Sequence, residues 1–346
     1  MVAILIKHRK ILEIIDMLHS KVYEPQDCEE DRIQENYDKI GRFGTMTFIT
    51  SVSIAILVKV IGLLTKDEGI RSFKMWVPYS LENGTSYWLT YVLYFVGFMI
   101  IAQISVAGDT FAIVMMLQLC AQLEILKHRI LKYPQLCMKE FPKNPRTEQR
   151  NLGKWIEHHN SLYIFAIKLN DVYSAVFFIL LLSATLDVCT CTYFLATLRI
   201  TSMKFWSMSV SLICIMFEIY LYCFQGSFLM EKSMDIRYAA YSMDWFLLSK
   251  TSRRDIIQIM RRSSKPITIT GGSIFPLSID TFNSEIFGGI KFYSDNSAFF
   301  KTHGSRLAFG VTIVIERVLY STTFPTVPLT RDANIHNYVF CLRMQL

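Results

Sequence analysis

Long apolar runs separate shorter charged segments along most of the chain. The runs are Phe43–Leu64, Tyr87–Leu119, Val172–Leu198 and Phe205–Met230. Each is long enough to contain the roughly 20 residues that an α-helix needs to cross a bilayer, whereas apolar runs of about 10–14 residues are typical of helices buried in soluble proteins. The pattern therefore predicts an all-α fold, a polytopic membrane helical bundle with four spans in these runs.

The second run continues into a more polar stretch. An apolar stripe persists there at Leu119, Leu123, Leu126 and Ile130, and Pro134 is expected to end the helix. The run also holds an isolated charge, Asp109, which a membrane helix tolerates if the side chain faces protein or water.

The first forty residues have a different pattern. Ile11, Ile14, Ile15 and Leu18 recur at the spacing of one helix face, which predicts an amphipathic helix. The acidic stretch "CEEDRIQENYD" follows this helix. The opening "MVAILIKHRK" has too short an apolar run for a signal peptide. We therefore expect a soluble entry segment before the first span.

Basic residues are unevenly distributed between the connecting segments. Eight Lys and Arg residues lie within 127–154 and eight more within 232–265, whereas 66–86 holds only Lys66, Arg71 and Lys74. Because cytoplasmic loops carry the excess of Lys and Arg, the N-terminus and both basic segments are predicted to be cytoplasmic. The loop 66–86 is then extracellular. It holds the sequon Asn83-Gly84-Thr85, which makes Asn83 a candidate glycosylation site.

Together these patterns divide the chain into eleven segments. They are a cytoplasmic entry segment at 1–40, transmembrane segments at 41–65, 87–119, 165–198 and 204–229, an extracellular loop at 66–86, a short outer loop at 199–203, cytoplasmic anchor segments at 120–164 and 230–270, the start of a further membrane helix at 271–288, and a tail at 289–346. The composition agrees with this membrane assignment, since 52% of residues are hydrophobic and only 19% are charged.

Catalytic and metal-binding patterns are weak. His158 and His159 are adjacent, so on a helix they point about 100° apart and do not share one ligand face. A solvated or interhelical role is expected for them instead. Cys189-x-Cys191 lacks the spacing and partners of a zinc site. The sequence has no nucleotide-binding loop, nucleophile elbow or HExxH motif, and no nucleic-acid-reading motif accompanies its basic residues. We predict that the chain is not an enzyme and has no cofactor, metal site or nucleic-acid partner.

Five ordered segments resemble the insect odorant receptor family. They are "FKMWVPYSLENGTSYWLTYVLY", "CAQLEILKHRI", "IEHHNSLYIFAIKLNDVYS", "IYLYCFQGSFLMEKSMDIRYAAYSMDWF" and "IIQIMRRSSKPITITGGSIFPLSIDTF". The resemblance covers roughly 7–287. Because five matches in the right order are far more specific than any single one, the chain is identified as a member of this family of seven-helix, ligand-gated channels.

The resemblance implies an odorant-gated, non-selective cation channel in the plasma membrane of olfactory sensory neurons. A volatile odorant would be its ligand, and a shared co-receptor would be its partner in a heterotetramer. The anchor segments, Gln118–Lys168 and Glu231–Lys265, would join the subunits. A G-protein-coupled receptor, a small-molecule transporter and a membrane enzyme are the alternatives. A transporter would be expected to have internal repeats with paired broken helices, and only one broken segment is visible.

The resemblance also assigns roles to individual residues. In the family the seventh helix is broken, and its second half lines the pore. Gly271 and Gly272 are then the helix break, and Phe275, Pro276, Ile279 and Phe282 belong to the start of the pore helix. Odorant contacts are expected in the outer halves of three spans. The candidates are Ile49, Ser53, Tyr91, Tyr94, Phe95, Met208 and Leu212.

Both ends of the sequence depart from the family pattern. The first two helices of the family have no counterpart, and the pore-helix pattern stops near Phe287. We expect a partial or mis-spliced member, with the insect odorant receptor fold lacking its first two helices and the end of the last. The chain as written would then keep its subunit-association surfaces but conduct no current by itself.

Overall fold

Long α-helices make up nearly all of the described chain. The computed structural model describes residues 7–64, 84–140, 145–243, 245 and 248–295. The helices are α1 His8–Leu18, α2 Cys28–Leu64, α3 Gly84–Glu140, α4 Pro145–Thr197, α5 Met203–Ser242, α6 Lys250–Ser263 and α7 Ile279–Asp295. Two short antiparallel strands, β1 Thr270–Gly271 and β2 Phe275–Pro276, form a hairpin between α6 and α7.

Three of these helices are long and apolar enough to cross a membrane. The qualifying stretches are Trp88–Lys132 in α3, Leu152–Thr197 in α4 and Met208–Ser242 in α5. They overlap three of the four predicted spans, and the predicted all-α membrane bundle is confirmed. The other predicted span, Phe43–Leu64, is the second half of α2 and stays a prediction.

The core lies towards one end of the bundle, where α3, α4 and α5 pack together. The apolar stripe predicted at Leu119, Leu123, Leu126 and Ile130 is fully buried. It packs in one cluster with residues from α4, α5, α6 and the chain on either side of the hairpin. Towards the other end, large apolar side chains are exposed, for example Ile101 on α3 and Ile213 on α5. Membrane helices have this pattern because lipid replaces water around their outer faces.

The amphipathic helix predicted at the N-terminus is confirmed as α1. Its apolar face buries Ile14 against α4, with Ile11, Ile15 and Leu18 partly buried beside it. Its polar face forms ion pairs with α4, where Lys10 lies 2.6 Å from the Asp171 carboxylate and Glu13 lies 3.0 Å from Lys168. Residues 7–18 are thus fastened to the helix that holds much of the core.

One sequence expectation about α3 is wrong. Pro134 was expected to end the helix, but α3 continues through it to Glu140. Proline removes one backbone hydrogen-bond donor, and a helix tolerates this loss when the turns on both sides remain bonded. The long helix therefore extends several turns beyond the apolar run 87–119.

Candidate functional site

The segment between α6 and α7 is a short, non-helical connection. Ser249 caps the start of α6 by accepting a hydrogen bond from the Ser252 amide, and Arg261 and Arg262 lie in its last turn, where cations are favourable. The chain then runs through residues 264–278 before α7 begins. We call residues 264–278 the connecting segment.

Side-chain and backbone groups of α4 and α5 hold this connecting segment in place. The Thr270 amide donates to Asn170 Oδ1 at 2.7 Å, and the Gly272 amide donates to the Ser174 carbonyl at 2.8 Å. On the α5 side, the Ile267 amide donates to Ser233 Oγ at 2.9 Å. Because a buried backbone amide is costly to leave unpaired, these contacts fix the path of the chain.

Apolar contacts add to this anchoring. Ile267, Ile269 and Leu277 of the connecting segment are 4%, 1% and 1% exposed. The Arg262 guanidinium lies 4.2 Å from the centre of the Tyr163 ring, and the Tyr163 hydroxyl donates to the Arg262 carbonyl at 3.3 Å. The basic end of α6 is therefore tied to α4 by cation–π and hydrogen-bonding contacts.

The two glycines of the predicted helix break lie at the turn of the hairpin. Gly272 has φ of 62°, in the left-handed region that favours glycine. A Cβ atom at this position would lie 2.8 Å from Phe178 Cδ2, so the α4 side chain also excludes a larger residue. Ser273 follows with φ of 61°, a strained value for a residue with a side chain.

A third glycine, not singled out from the sequence, permits the closest approach. Gly226 lies in the middle of α5, and a Cβ atom there would lie 2.2 Å from the Leu277 carbonyl oxygen. No ordinary contact is that short, so Leu277 can only sit where it does against a glycine. The motif "CFQGSF" contains an isolated glycine inside a helix, which is the sequence signal for a close approach.

The start of α7 differs from the prediction. Phe275 and Pro276 were expected to belong to the pore helix, but they form β2, and the helix begins at Ile279. The reason is local: Ser278 Oγ accepts a hydrogen bond from the Thr281 amide, and Asp280 lies in the first turn. A serine cap and an early carboxylate both favour a helix start at this point.

Helix α7 packs against both α4 and α5. Phe282 meets Tyr220 edge to face with ring centres 5.5 Å apart, and the Ile279 amide donates to Ser227 Oγ at 3.0 Å. Ile279 itself is 40% exposed, and Phe287 is 71% exposed. An exposed apolar face on a membrane helix is available to lipid or to another subunit.

The predicted odorant contacts are placed on α2, α3 and α5 with different degrees of burial. Ile49, Ser53, Phe95 and Leu212 are half-buried, and Met208 is 3% exposed. The side chains of Tyr91 and Tyr94 lie outside the described residues, as does Asn83.

The structure connects two of these helices through a residue that the sequence reasoning missed. Gln103 on α3 donates from Nε2 to Ser53 Oγ on α2 at 2.9 Å. Ser53 in turn donates to the Ile49 carbonyl at 2.8 Å. A glutamine inside an apolar run was the available signal, because a buried amide needs a partner.

The isolated charge predicted on the second run also has a protein partner. Tyr222 on α5 donates from its hydroxyl to Asp109 Oδ1 on α3 at 3.0 Å. Tyr222 is 2% exposed. Asp109 therefore faces the bundle interior, as expected for a charged residue in a membrane helix.

A buried ion pair links the entry segment to α3. Arg129 donates from Nε and Nη2 to the two carboxylate oxygens of Glu30, at 2.9 and 2.8 Å. Its guanidinium also donates to the Glu24 carbonyl at 2.9 Å and meets His158 Nδ1 at 3.3 Å. Since arginine can only donate, this histidine nitrogen is an acceptor, so His158 is neutral here.

Further charged contacts surround this pair. Lys232 on α5 lies 2.7 Å from Glu124 on α3, and Lys127 lies 2.8 Å from Asp235. His159 points the other way from His158 and contacts Ser263 of α6 through Nε2 at 3.3 Å. The two histidines therefore join different elements, which agrees with the expected interhelical role. No group of metal-binding side chains occurs among the described residues.

Comparisons with known proteins give the family to which the sequence is similar. The model of the 7tm odorant receptor family matches residues 1–286. Odorant receptor 67c of Drosophila melanogaster is 21% identical over 254 residues, which cover 72% of this chain and 60% of that protein. The odorant receptor coreceptor of Aedes aegypti is 24% identical over 141 residues, covering 40% of this chain and 29% of that protein.

A solved structure has the same fold. The insect olfactory receptor OR5 from Machilis hrabei, in complex with eugenol, superposes with a TM-score of 0.67 at 20% identity. The superposition covers 84% of this chain and 75% of that chain. The chain thus spans three quarters of that structure and 60% of the length of odorant receptor 67c.

Proposed function

The chain belongs to the 7tm odorant receptor family, and on this premise we propose that it is a subunit of an odorant-gated, non-selective cation channel. The expected family resemblance is confirmed, and so is the insect odorant receptor fold. This multi-pass membrane protein is a receptor by family and not an enzyme. Family membership favours this function over the transporter and G-protein-coupled receptor alternatives.

The observation that carries the proposal is the connecting segment docked between α4, α5 and α7. It joins a basic helix, α6, to a helix with an exposed apolar face, α7. Asn170, Ser174 and Ser233 hold its backbone, and Gly226 admits Leu277. This arrangement supports a pore helix whose position depends on α4 and on α5, and α5 is one of the helices that would contact the ligand.

A heterotetramer with the co-receptor is part of the same proposal. Ile167 on α4 and Tyr241 on α5 are 63% and 71% exposed, and both lie in or beside the anchor segments. Tyr238 and Ile257 are also exposed. Large apolar and aromatic side chains outside the long apolar runs favour contacts with other subunits, because water would otherwise surround them.

The test combines association and current. Because the chain spans part of its relatives, residues 1–286 replace the matching part of odorant receptor 67c in a chimera. Expressed with the co-receptor in a cell line without other chemoreceptors, the chimera should give odorant-evoked cation current. Retention of the chimera by the co-receptor on purification should accompany this current, and Ile167→Lys should weaken the retention. The proposal would be contradicted by odorant-evoked current in cells that lack the chimera and the co-receptor. It would equally be contradicted by the absence of such current in cells that express both.

We also propose that the N-terminus is cytoplasmic and that the protein lies in the plasma membrane of olfactory sensory neurons. Trp88 near the start of α3 and Trp206 near the start of α5 are 55% and 59% exposed, which suits an outer aromatic belt. A glycosylation reporter at Asn83 tests the orientation. Asn83 should be modified and Asn83→Gln should not. If a reporter at Asn83 is reached only from the cytosol, the orientation is the reverse of the one proposed.

A further inference from the structure

A pair of arginines precedes two serines at the end of α6. The stretch is Arg261-Arg262-Ser263-Ser264. The sequence has two arginine pairs, and only this one is followed by serine. Arginine-directed serine kinases select their substrates by such a charge pattern, with two cations placed two and three residues before the serine. The odorant receptor assignment does not account for this combination of charges and hydroxyl groups.

The structure distinguishes the two serines. Ser263 is fully buried, where its Oγ donates to the Ile259 carbonyl at 2.8 Å and lies 3.3 Å from His159 Nε2. Ser264 is exposed and caps the C-terminus of α6, where its Oγ donates to the Arg261 carbonyl at 2.6 Å. The Ser264 hydroxyl is therefore the one that another protein can reach. It is also the one that has both arginines at the required spacing.

The residues around Ser264 are accessible as well. Four of the five residues in 261–265 are exposed, and only Ser263 is buried. The helix ends at Ser263, and residues 264–269 are not helical. A kinase binds its substrate segment in an extended form, so the last turn of α6 has to unwind on binding. Terminal turns open at a lower cost in free energy than the core of a helix.

We propose that Ser264 is a phosphorylation site for an arginine-directed serine kinase. In this reaction Ser264 Oγ attacks the γ-phosphorus of ATP. The bond from this phosphorus to the oxygen that bridges the β- and γ-phosphates breaks, ADP leaves, and the hydroxyl proton passes to the carboxylate base of the kinase. Kinases and ATP are cytosolic, so use of the site in cells rests on the cytoplasmic placement of α6 proposed above.

A phosphate on Ser264 would compete for the cation that ties α6 to α4. The Arg262 guanidinium lies 4.2 Å from the centre of the Tyr163 ring, and the Tyr163 hydroxyl lies 3.2 Å from the Lys265 carbonyl. Phosphoserine carries a charge of about −1.5 to −2 at pH 7, and arginine binds phosphate more strongly than an exposed aromatic ring. Negative charge is also unfavourable at the C-terminus of a helix. We therefore expect the phosphate to draw Arg262 away from Tyr163 and to loosen the end of α6.

The site is tested on the purified chain, without a measurement of channel current. The whole chain in detergent is incubated with ATP and the catalytic subunit of cyclic-AMP-dependent protein kinase, an arginine-directed enzyme, and the phosphate is located by mass spectrometry. We expect phosphate on Ser264 and none on Ser263. Ser264→Ala should abolish phosphorylation of this segment. Arg261→Gln should lower kcat/KM for the segment about tenfold, since it removes a charge-assisted hydrogen bond to the kinase.

A second serine in the same chain is the matched control. Ser242 is also exposed at the end of a helix, α5, and its Oγ donates to the Tyr238 carbonyl at 2.7 Å. The three residues before it are Ala-Ala-Tyr, so it has the local geometry of Ser264 without the arginines. Ser242 should stay unmodified. Absence of phosphate on Ser264 in the folded chain, or equal modification of Ser242, would overturn the proposed site.

Hydrogen exchange tests the structural consequence. The backbone amides of 261–265 should exchange faster in the phosphorylated chain than in the unmodified chain, while those of 239–242 should not change. Arg262→Gln removes the cation from the Tyr163 ring and should raise the exchange of the same amides without any phosphate. Unchanged exchange in the phosphorylated chain would overturn the proposed loosening of α6.

Discussion

The two ends of the helical bundle are built in different ways. At the charged end, ion pairs join separate helices, as in Arg129 with Glu30 and Lys232 with Glu124. At the other end, the helices expose apolar side chains such as Ile101 and Ile213. A polar contact that links two helices there is the one between Gln103 and Ser53. The difference suggests that the charged end sets the fold of one subunit, while the apolar end is free to adapt to ligand and lipid.

The largest expected effect comes from breaking the charged end. Arg129→Ala leaves the Glu30 carboxylate buried at 1% exposure without its partner. Loss of one member of a buried ion pair destabilises a protein by about 3–5 kcal/mol. The thermal unfolding temperature measured in detergent should fall by a correspondingly large amount.

An exposed ion pair on α2, the helix that holds Glu30, is the control for this change. Arg32 and Glu29 lie 3.2 Å apart with side chains 70% and 56% exposed. Arg32→Ala should change the free energy of unfolding by less than about 1 kcal/mol. Equal effects of the two substitutions would mean that the charged end is not the structural core of the subunit.

The next largest effect concerns the contact between α5 and the connecting segment. Gly226→Ala places a Cβ atom 2.2 Å from the Leu277 carbonyl oxygen, so the start of α7 must move. We expect a loss of about 1–3 kcal/mol, typical of overpacking, together with reduced odorant-evoked current in the chimera. Gly153→Ala on α4 is the matched control, because no atom lies within 4 Å of its added Cβ. A similar loss of stability in both variants would mean that the effect comes from the helix backbone and not from the contact with Leu277.

A smaller effect is expected at the hairpin turn. Gly272→Ala puts a side chain on a residue with φ of 62°, which costs about 1–2 kcal/mol, and crowds Phe178. The neighbouring Ser273→Gly should be neutral or stabilise by up to about 1 kcal/mol, because Ser273 already has φ of 61°. Denaturant unfolding would compare the two variants. The same sign of change in both would argue against a left-handed turn.

The smallest effect on stability is expected at the apolar end. Phe95→Ala, alone or with Tyr91→Ala and Tyr94→Ala, should alter the order of odorant potencies in the chimera. Its effect on unfolding should stay below about 1 kcal/mol, because lipid tails are as apolar as the packing that is lost. Current measured across an odorant panel tests this expectation. An unchanged potency order in the triple variant would remove these residues from the ligand site.

Periodicity predicted the parts of the fold that depend on long apolar patterns. The run in α4 and the stripe on α3 were visible because a helix repeats its buried face every three to four residues. The sequence did not show that α3 continues past Pro134, since the rest of the helix, and not the proline alone, decides whether the helix continues. The hairpin at 270–276 was equally hidden, because two strands of two residues each have no periodic signal.

The candidate site was predicted through resemblance more than through its own residues. Gly271 and Gly272 could be singled out because adjacent glycines mark an irregular backbone. Asn170, Ser174 and Gly226 could not, since their roles depend on a segment about a hundred or fifty residues further along the chain.

The attachment points on α4 have a mechanical consequence. This helix has 53 residues and is about 80 Å long at 1.5 Å per residue. Its middle residue is Asp171, which pairs with Lys10 of α1, and the neighbouring Asn170 and Ser174 hold the hairpin. If α4 rocks about its centre like a beam, a tilt of about 5° moves each end by roughly 3.5 Å and the attachments by only about 0.3 Å. The hairpin lies at the centre of this rotation. It would therefore rotate with α4 but would not undergo the larger displacement of the helix ends.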